Sequence, residues 1–464
     1  MALTLPAHPD PVHDEILGSG LLQDLSYAFG APFHFLRPER FDANLAAFRA
    51  ALTEAGVEGR VYFAKKANKA AAFIERCAAT GTGVDVASHG ELREALGHGV
   101  RGEDLVVTGP AKAGQLLRVA ALQGALIAVD SPDELERILR LDSPRPVRIL
   151  LRRHPPAQPN SRFGLDDAHL DAALLRCADA GDRIRMEGFS FHLSGYAVQP
   201  RADLAGELVD LCVKARNLGL PADRISIGGG FAVDYAGAGD WQAFLAAQGP
   251  ADYHAGKTFA AGDFYPYHSP VAGADALRAV LAARPHGVGG PLAARLREAG
   301  VTLLLEPGRA LLDGAGSSVF RVQGVKDRQG VKDRAGYGIV TVDGTSLSLS
   351  EQWFNSEYLP DPVLLTAGRA DDGLPGRAAG DGDAQPYRAC VGGASCLDSD
   401  LLTWRKIAFP VRPLAGDLLV YPNTAGYQMD SNESPFHDLP LPAKVVLQQE
   451  DGRLRWRLDH RPAC

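Results

Sequence analysis

The stretch "VYFAKKANKA", residues 61–70, decides how this chain is read. Val61, Tyr62, Phe63 and Ala64 form a short continuous apolar run, the pattern of a strand buried on both faces. Two lysines, Lys65 and Lys66, follow at once. A core strand that runs straight into two ammonium groups ends at a place where charge is wanted.

The same rhythm recurs outward from this stretch. Apolar runs follow at "GVDVAS", "DLVVTGP", "ALIAVDS", "VRILLRRHP", "MEGFSFHLSG", "RISIGGGF" and "VTLLLEPGRALL". Amphipathic stretches such as "HGELREALGHG", "SPDELERILRL" and "DLAGELVDLCVKARNLG" lie between them. In the last, Leu204, Leu208, Leu211 and Cys212 have helical spacing. Eight strand–helix units in about 250 residues predict a (β/α)8 TIM barrel, with a doubly wound sheet as the alternative. Residues 231–275 are long for a strand-to-helix connection and rich in aromatics. Such an insertion commonly sits on a functional face, or else is a surface elaboration.

After residue 312 the rhythm changes. "SVFRVQGVKD", "YGIVTVDGT", "RKIAFPVRPLAGDLLVYPN" and "AKVVLQQEDGRLRWRLD" read as strands joined by turns, which predicts a second, all-β domain of barrel or sandwich type. "VKDRQGVKDRAG" reads as a solvated hairpin, and "DDGLPGRAAGDGDAQP" as a mobile loop.

Composition narrows the function. The chain has 464 residues, 46% hydrophobic and 22% charged, as a globular protein of about two or three domains would. Its net charge of −8 offers no footprint for nucleic acid or an anionic membrane. The six cysteines are scattered without a C-x-x-C pair, which fits a reducing cytoplasm. The N-terminus lacks the basic and apolar regions of a signal peptide, and no apolar run approaches the roughly 20 residues of a membrane span.

In a parallel barrel the carboxyl ends of the strands form the active face. Lys66 and Asn68 follow the first strand, Asp85 and Ser88 end the second, and Arg152 ends the fifth. His192 and Ser194 end the sixth, Gly228, Gly229 and Gly230 follow the seventh, and Glu306 to Arg309 end the eighth. Three glycines let backbone N–H groups close around an anion, and Arg309 can add a bidentate contact, although "GGG" also suits a plain tight turn. A lysine in a partly desolvated site can attack a carbonyl, whereas most strand-end lysines are simply solvated. Lysine, anion cradle and carboxylate together suggest pyridoxal 5'-phosphate, with His192 stacked on its ring. A dinucleotide site would need an early G-x-G-x-x-G, which is missing. A metal centre would need clustered ligands, of which only His192 is present, so no metal is expected.

The stretches "FAKKAN", "GVDVASHGEL", "SRFGL", "FHLSG", "IGGGF", "EPGR", "GGASCLDSD" and "AGYQMD" make the sequence resemble the fold-type III pyridoxal-phosphate decarboxylases, the diaminopimelate and ornithine decarboxylase group. Alanine racemase is a more distant relative. The resemblance runs from about residue 60 to 430. It implies that Lys66 is the Schiff-base lysine, with Asp85 near it and His192 over the cofactor. Gly228, Gly229, Gly230, Ser194, Arg309 and Tyr427 would hold the phosphate, and Glu306 the pyridine nitrogen. Cys396 would be an acid reaching in from a partner subunit, with Asp400 nearby. Arg152, Asp398, Asp400 and Glu433 would face the substrate. The implied architecture is a barrel over residues 31–312 and a β domain from 1–30 and 313–464, in a homodimer with composite sites.

The sequence departs from that pattern in places. The family's H-x-G-S after strand six is here His192, Leu193, Ser194 and Gly195, which shifts the hydroxyl by one place. Leu397 replaces the glutamate that follows the cysteine in diaminopimelate decarboxylases, and "SNESPFHDLP" lacks their arginine. These differences argue against meso-diaminopimelate and for a divergent branch acting on another amino acid or a conjugate. The expected activity is α-decarboxylation of a small-molecule amino acid. The alternatives are a racemase on the same fold, which Glu306 disfavours because alanine racemases place arginine there, and an inactive regulatory homologue.

Overall fold

The computed structural model describes residues 3–287, 289–329, 336–349, 354–367 and 385–459. After β1 (Phe33–Leu36) come β2 (Gly59–Ala64), β3 (Gly83–Val86), β4 (Leu105–Val107) and β5 (Leu126–Val129). Then follow β6 (Val147–Arg152), β7 (Ile184–Ser190), β8 (Arg224–Ser226) and β9 (Thr302–Leu305). Strands β2 to β9 close into an eight-stranded barrel. Every neighbouring pair is parallel, including the closing pair of β2 and β9. All eight apolar runs of the sequence are barrel strands, so the fold is the TIM barrel and not the doubly wound sheet.

Local chemistry sets the helices between them. Ser88 caps helix His89–Gly97 by accepting the Glu91 N–H at 3.1 Å, while the Glu91 carboxylate accepts the Ala87 N–H at 2.7 Å. Ser131 caps Pro132–Leu139 in the same way, with Pro132 in the first turn. Gly81 and Gly124 end their helices in the left-handed region that glycine enters without strain. Tyr62, Val106, Leu126, Leu150 and Leu304 pack together as a buried cluster. Tyr62 takes the space beside Gly83, where a Cβ would lie 2.2 Å from its ring. On β7, buried Glu187 accepts from Arg148 at 2.7 Å and pairs with Arg224 at 3.0 Å. Both arginines stand in the first halves of their strands, so this ion-pair network lies toward the amino ends of the strands, away from their carboxyl ends.

Packing divides the chain into two units. One is Phe41–Ala232 with Val271–Leu311, the barrel. The other gathers Met1–Arg40, Val233–Pro270 and Leu312–Asp459. Its strands are β1, β10 (Gly316–Arg328), β11 (Tyr337–Val342), β12 (Val363–Leu365), β13 (Tyr387–Gly392), β14 (Leu401–Phe409), β15 (Leu418–Tyr421), β16 (Ala443–Glu450) and β17 (Arg453–Leu458). They form one mixed sheet ordered β14-β13-β11-β10-β1-β16-β17, with β15 joining β10 to β12.

Two segments inside the expected barrel range of 31–312 group with the β unit instead. Strand β1, "FHFL", pairs antiparallel with β10 and parallel with β16, so it completes the β sheet. Four residues carry too little pattern to show this, and the partners lie hundreds of residues away. The aromatic insertion is the second. Tyr235, Tyr265 and Tyr267 pack with one another and with Tyr358 at ring separations of 5.3 to 5.8 Å together with Phe354. The Tyr267 hydroxyl accepts the Leu359 N–H at 3.1 Å. The four tyrosines are buried, so the insertion supplies an aromatic cluster to the interior of the β unit. Strands β10 and β11 pair antiparallel across "VKDRQGVKDRAG", in agreement with a hairpin. The Gly/Asp/Pro loop lies almost wholly outside the described residues.

Candidate active site

The two lysines of the opening stretch part company at the end of β2. A single 3-10 turn, Lys65–Ala67, turns their side chains apart. Lys65 is buried and paired with Glu94 on the neighbouring helix. Lys66 is half-exposed, with Nζ 3.8 Å from Oδ2 of buried Asp85 on β3. Asp85 in turn accepts from the Thr108 hydroxyl at 2.6 Å. Asn68 accepts the Ala70 N–H at 2.9 Å, and Ser88 is occupied as a helix cap.

Glu306 follows β9 and is buried. Its Oε1 accepts from the Ser226 hydroxyl at 2.5 Å. Burial, and then the Asp85 carboxylate, push its carboxyl up to about 7 against the pull of Lys66 and Arg152. His192, after β7, is held well below its ordinary pKa by burial and by the cations Lys66, Arg152 and Arg201, so its imidazole is neutral at pH 7. Arg152, at the end of β6, bonds Asp130 at 3.0 Å and lies over the Phe163 ring at 4.4 Å. Asp130 also accepts the Gly164 N–H at 3.1 Å, so the "SRFGL" segment fixes this guanidinium.

The glycines are required by their surroundings. Gly228 and Gly230 have φ of 66° and 79°. A Cβ on Gly228 would lie 2.7 Å from the His192 ring, and one on Gly229 2.7 Å from the Glu306 carbonyl. One on Gly230 would lie 2.3 Å from Arg201. Arg201 was not singled out by the sequence reading. It is buried, and it donates to the carbonyls of Ile227 at 3.1 Å, Gly195 at 3.2 Å and Gly230 at 3.2 Å. It therefore ties the loop after β7 to the glycine turn after β8. A sequence signal existed, because Arg201 lies on the same helical stripe as Leu204, Ala205, Leu208 and Cys212. Arg309 is buried at the start of the turn Arg309–Leu312. Ser194 is exposed, with its backbone bonded to the Gln158 side chain.

The remaining expected residues belong to the β unit. Cys396 is exposed in the loop between β13 and β14, and its Sγ lies 3.2 Å from His437 Nε2. Asp400 is buried and accepts the N–H groups of Ser346 at 2.7 Å and Ser395 at 3.1 Å, which places it as a brace for that loop. Asp398 is exposed and Glu433 half-buried. Tyr427 is half-buried with φ of 74°, in the left-handed region that costs a non-glycine residue energy. Among the described residues there is no cluster of three or more His, Cys, Asp or Glu able to hold a metal. No described helix is long and apolar enough to cross a membrane.

The chain is similar to known proteins. Residues 39–249 match the family described as pyridoxal-dependent decarboxylase, pyridoxal binding domain. The chain is 40% identical over 437 residues to the uncharacterized protein y4yA of Sinorhizobium fredii, covering 93% of this chain and 91% of that one. It is 28% identical to a diaminopimelate decarboxylase of Actinosynnema pretiosum, covering 89% and 83%. The chain belongs to the fold-type III pyridoxal-dependent decarboxylases.

Solved structures share the fold. Diaminopimelate decarboxylase from M. jannaschi superposes with a TM-score of 0.69 at 18% identity, over 95% of this chain and 92% of that one. Lysine/ornithine decarboxylase from Vibrio vulnificus, complexed with putrescine, gives 0.64 at 19%, over 92% and 97%. The family's cofactor is pyridoxal phosphate, and the residues present fit it. Glu306 is a buried carboxyl whose ionisation is disfavoured until a cation meets it, as a protonated pyridine nitrogen would. The glycine turn is a backbone surface that no Cβ could share. The His192 ring is an uncharged flat face beside it.

Proposed function

We propose that this protein is a pyridoxal-phosphate-dependent carboxy-lyase that releases the α-carboxylate of an amino acid, or of an amino-acid conjugate, as CO2. The observation that carries this reading is Glu306, a buried carboxyl grouped electrostatically with Lys66, Asp85 and Arg152. An acidic partner keeps a pyridine nitrogen protonated, which favours decarboxylation over racemisation. When bound, the cofactor supplies the electron sink for the pair left on the α-carbon as CO2 departs.

The protein's own groups do the rest. Lys66 holds the cofactor's aldehyde carbon, and Asp85 orients its ammonium. Glu306 would stand as the anion that keeps the ring nitrogen protonated, and neutral His192 would cover the ring without adding charge. Gly228, Gly229, Gly230, Arg309, Tyr427 and Ser194 are assigned to the phosphate. Arg152, fixed by Asp130 and Phe163, presents its guanidinium to the substrate carboxylate. Cys396, contributed by the partner subunit of a homodimer, returns a proton to the α-carbon. Asp398 and Glu433 are assigned to the distal end of the substrate, while Asp400 braces the Cys396 loop.

The test is CO2 release from a panel of amino acids by purified protein. At least one should lose CO2 in a reaction that Lys66→Ala abolishes, and Leu397 predicts that meso-diaminopimelate will be a poor substrate. Racemisation without CO2 from the same panel would overturn the reading.

A further inference from the structure

Cys396 does not stand alone. Its Sγ lies 3.2 Å from Nε2 of His437, a residue 41 positions away on the loop between β15 and β16. No sequence spacing announces this pair; the sheet brings the two loops together. Both sides of it are built. Asp400 pins the Cys396 loop through the Ser346 and Ser395 N–H groups, and a Cβ on Gly393 would lie 2.2 Å from its carboxylate. On the other side His437 has φ of 61° and Asp438 φ of 56°, two consecutive non-glycine residues in the left-handed region. Such a conformation is strained for a residue with a Cβ and persists where surrounding contacts hold it, often at functional sites. The His437 ring meets the Cys396 sulfur at 3.2 Å and the Phe436 ring at 4.2 Å.

The other cysteines among the described residues differ. Cys77, Cys177, Cys212 and Cys390 are all buried, and burial pushes their thiols up, those of Cys177, Cys212 and Cys390 to about 12. Cys396 is the exposed one, and it has an imidazole at hydrogen-bonding distance. The charged side chains on the two loops are Asp398 and Asp400 on one, and Asp430, Glu433 and Asp438 on the other. All are acidic.

We infer that His437 is the positioning and proton-reloading partner of Cys396. This rests on the decarboxylase reading and deepens it. The Sγ–H bond breaks as its proton goes to the electron pair on the substrate's α-carbon, leaving the bonding pair on sulfur. The Nε2–H of the His437 imidazolium then gives its proton to sulfur, and the imidazole takes a proton from water. The thiol is restored without waiting for a proton from bulk solvent.

The first measurement needs neither substrate nor turnover. The rate at which iodoacetamide alkylates the Cys396 peptide is followed by mass spectrometry in holoprotein, His437→Gln and His437→Ala. At pH 7 the wild type should react about tenfold faster than either variant, because an Nε2–H at hydrogen-bonding distance from Sγ stabilises the thiolate that reacts. At about pH 10, where an ordinary thiol is ionised, the rates should converge. Equal rates at pH 7, or a gap that persists at alkaline pH and so reports altered access, would overturn the pairing while leaving the decarboxylase reading untouched. Once a substrate is in hand, His437→Gln should lower kcat about tenfold with KM unchanged, since His437 acts through Cys396. A rise in KM with unchanged kcat would remove the reloading role even where the alkylation result holds.

Discussion

Glu306 allows a prediction in which function and stability pull apart. Its carboxyl is shifted from 4.5 to about 7 in the folded chain. At about 1.4 kcal/mol per unit, holding that carboxylate ionised in the protein without cofactor costs about 3 kcal/mol. The folded-state value is raised, so the folded state holds the proton more tightly than the unfolded one. The associated stability is complete below about pH 4.5 and is lost as pH rises through about 7. Glu306→Gln removes the titration and keeps an oxygen for the Ser226 hydroxyl. The cofactor-free variant should therefore be more stable than cofactor-free wild type at pH 8, by up to about 3 kcal/mol. That advantage should fade by pH 5. The comparison is made between proteins at each pH, because Asp343 and Glu357 are also raised, to about 6 and about 7, and contribute equally to both. Urea denaturation of the two proteins reads it directly. Adding cofactor should reverse the order, since the variant has lost the anion that meets a protonated ring. A variant that is less stable at pH 8, or a difference that does not change with pH, would refute the reasoning about Glu306.

Borohydride reduction of the yellow holoprotein should fix the cofactor's mass on Lys66 and leave Lys65, sequestered with Glu94, unlabelled; peptide mapping checks it. Gly230→Ala should lower stability by about 1–3 kcal/mol and weaken cofactor retention on dialysis, because its φ of 79° and the 2.3 Å approach to Arg201 leave no room for a methyl group. Lys66→Ala and Cys396→Ala chains should each be nearly inactive. After subunit exchange the mixture should recover about one quarter of wild-type activity, since half the dimers are mixed and each has one intact composite site. A mixture that stays dead after verified exchange would place both residues in the same chain's site.

What the sequence determines here is what depends on neighbours along the chain. Eight Val/Ile/Leu-rich runs, the first seven each followed by a helix, mark a parallel sheet buried on both faces, and that sheet closes as a barrel. That alone brings Lys66, Asp85, Arg152, His192, Gly228 and Glu306 to the strand ends. Relations between distant segments were not legible. Strand β1 is four residues whose meaning depends on β10 and β16. The aromatics of 231–275 read as an insertion on a functional face or a surface elaboration, and only the packing of Tyr235 and Tyr267 against Tyr358 shows them buried in the β unit. The sequence shows two adjacent lysines, but only the 3-10 turn decides that Lys65 is neutralised by Glu94 while Lys66 stands beside Asp85. Arg201 stays hidden in its helix until its guanidinium is seen bridging three carbonyls. Cys396 and His437 become a pair only because the sheet sets the β13–β14 and β15–β16 loops side by side. Periodicity records which face of an element is buried, but not what that face is buried against, and the chemistry of a buried or paired group is set by that second fact.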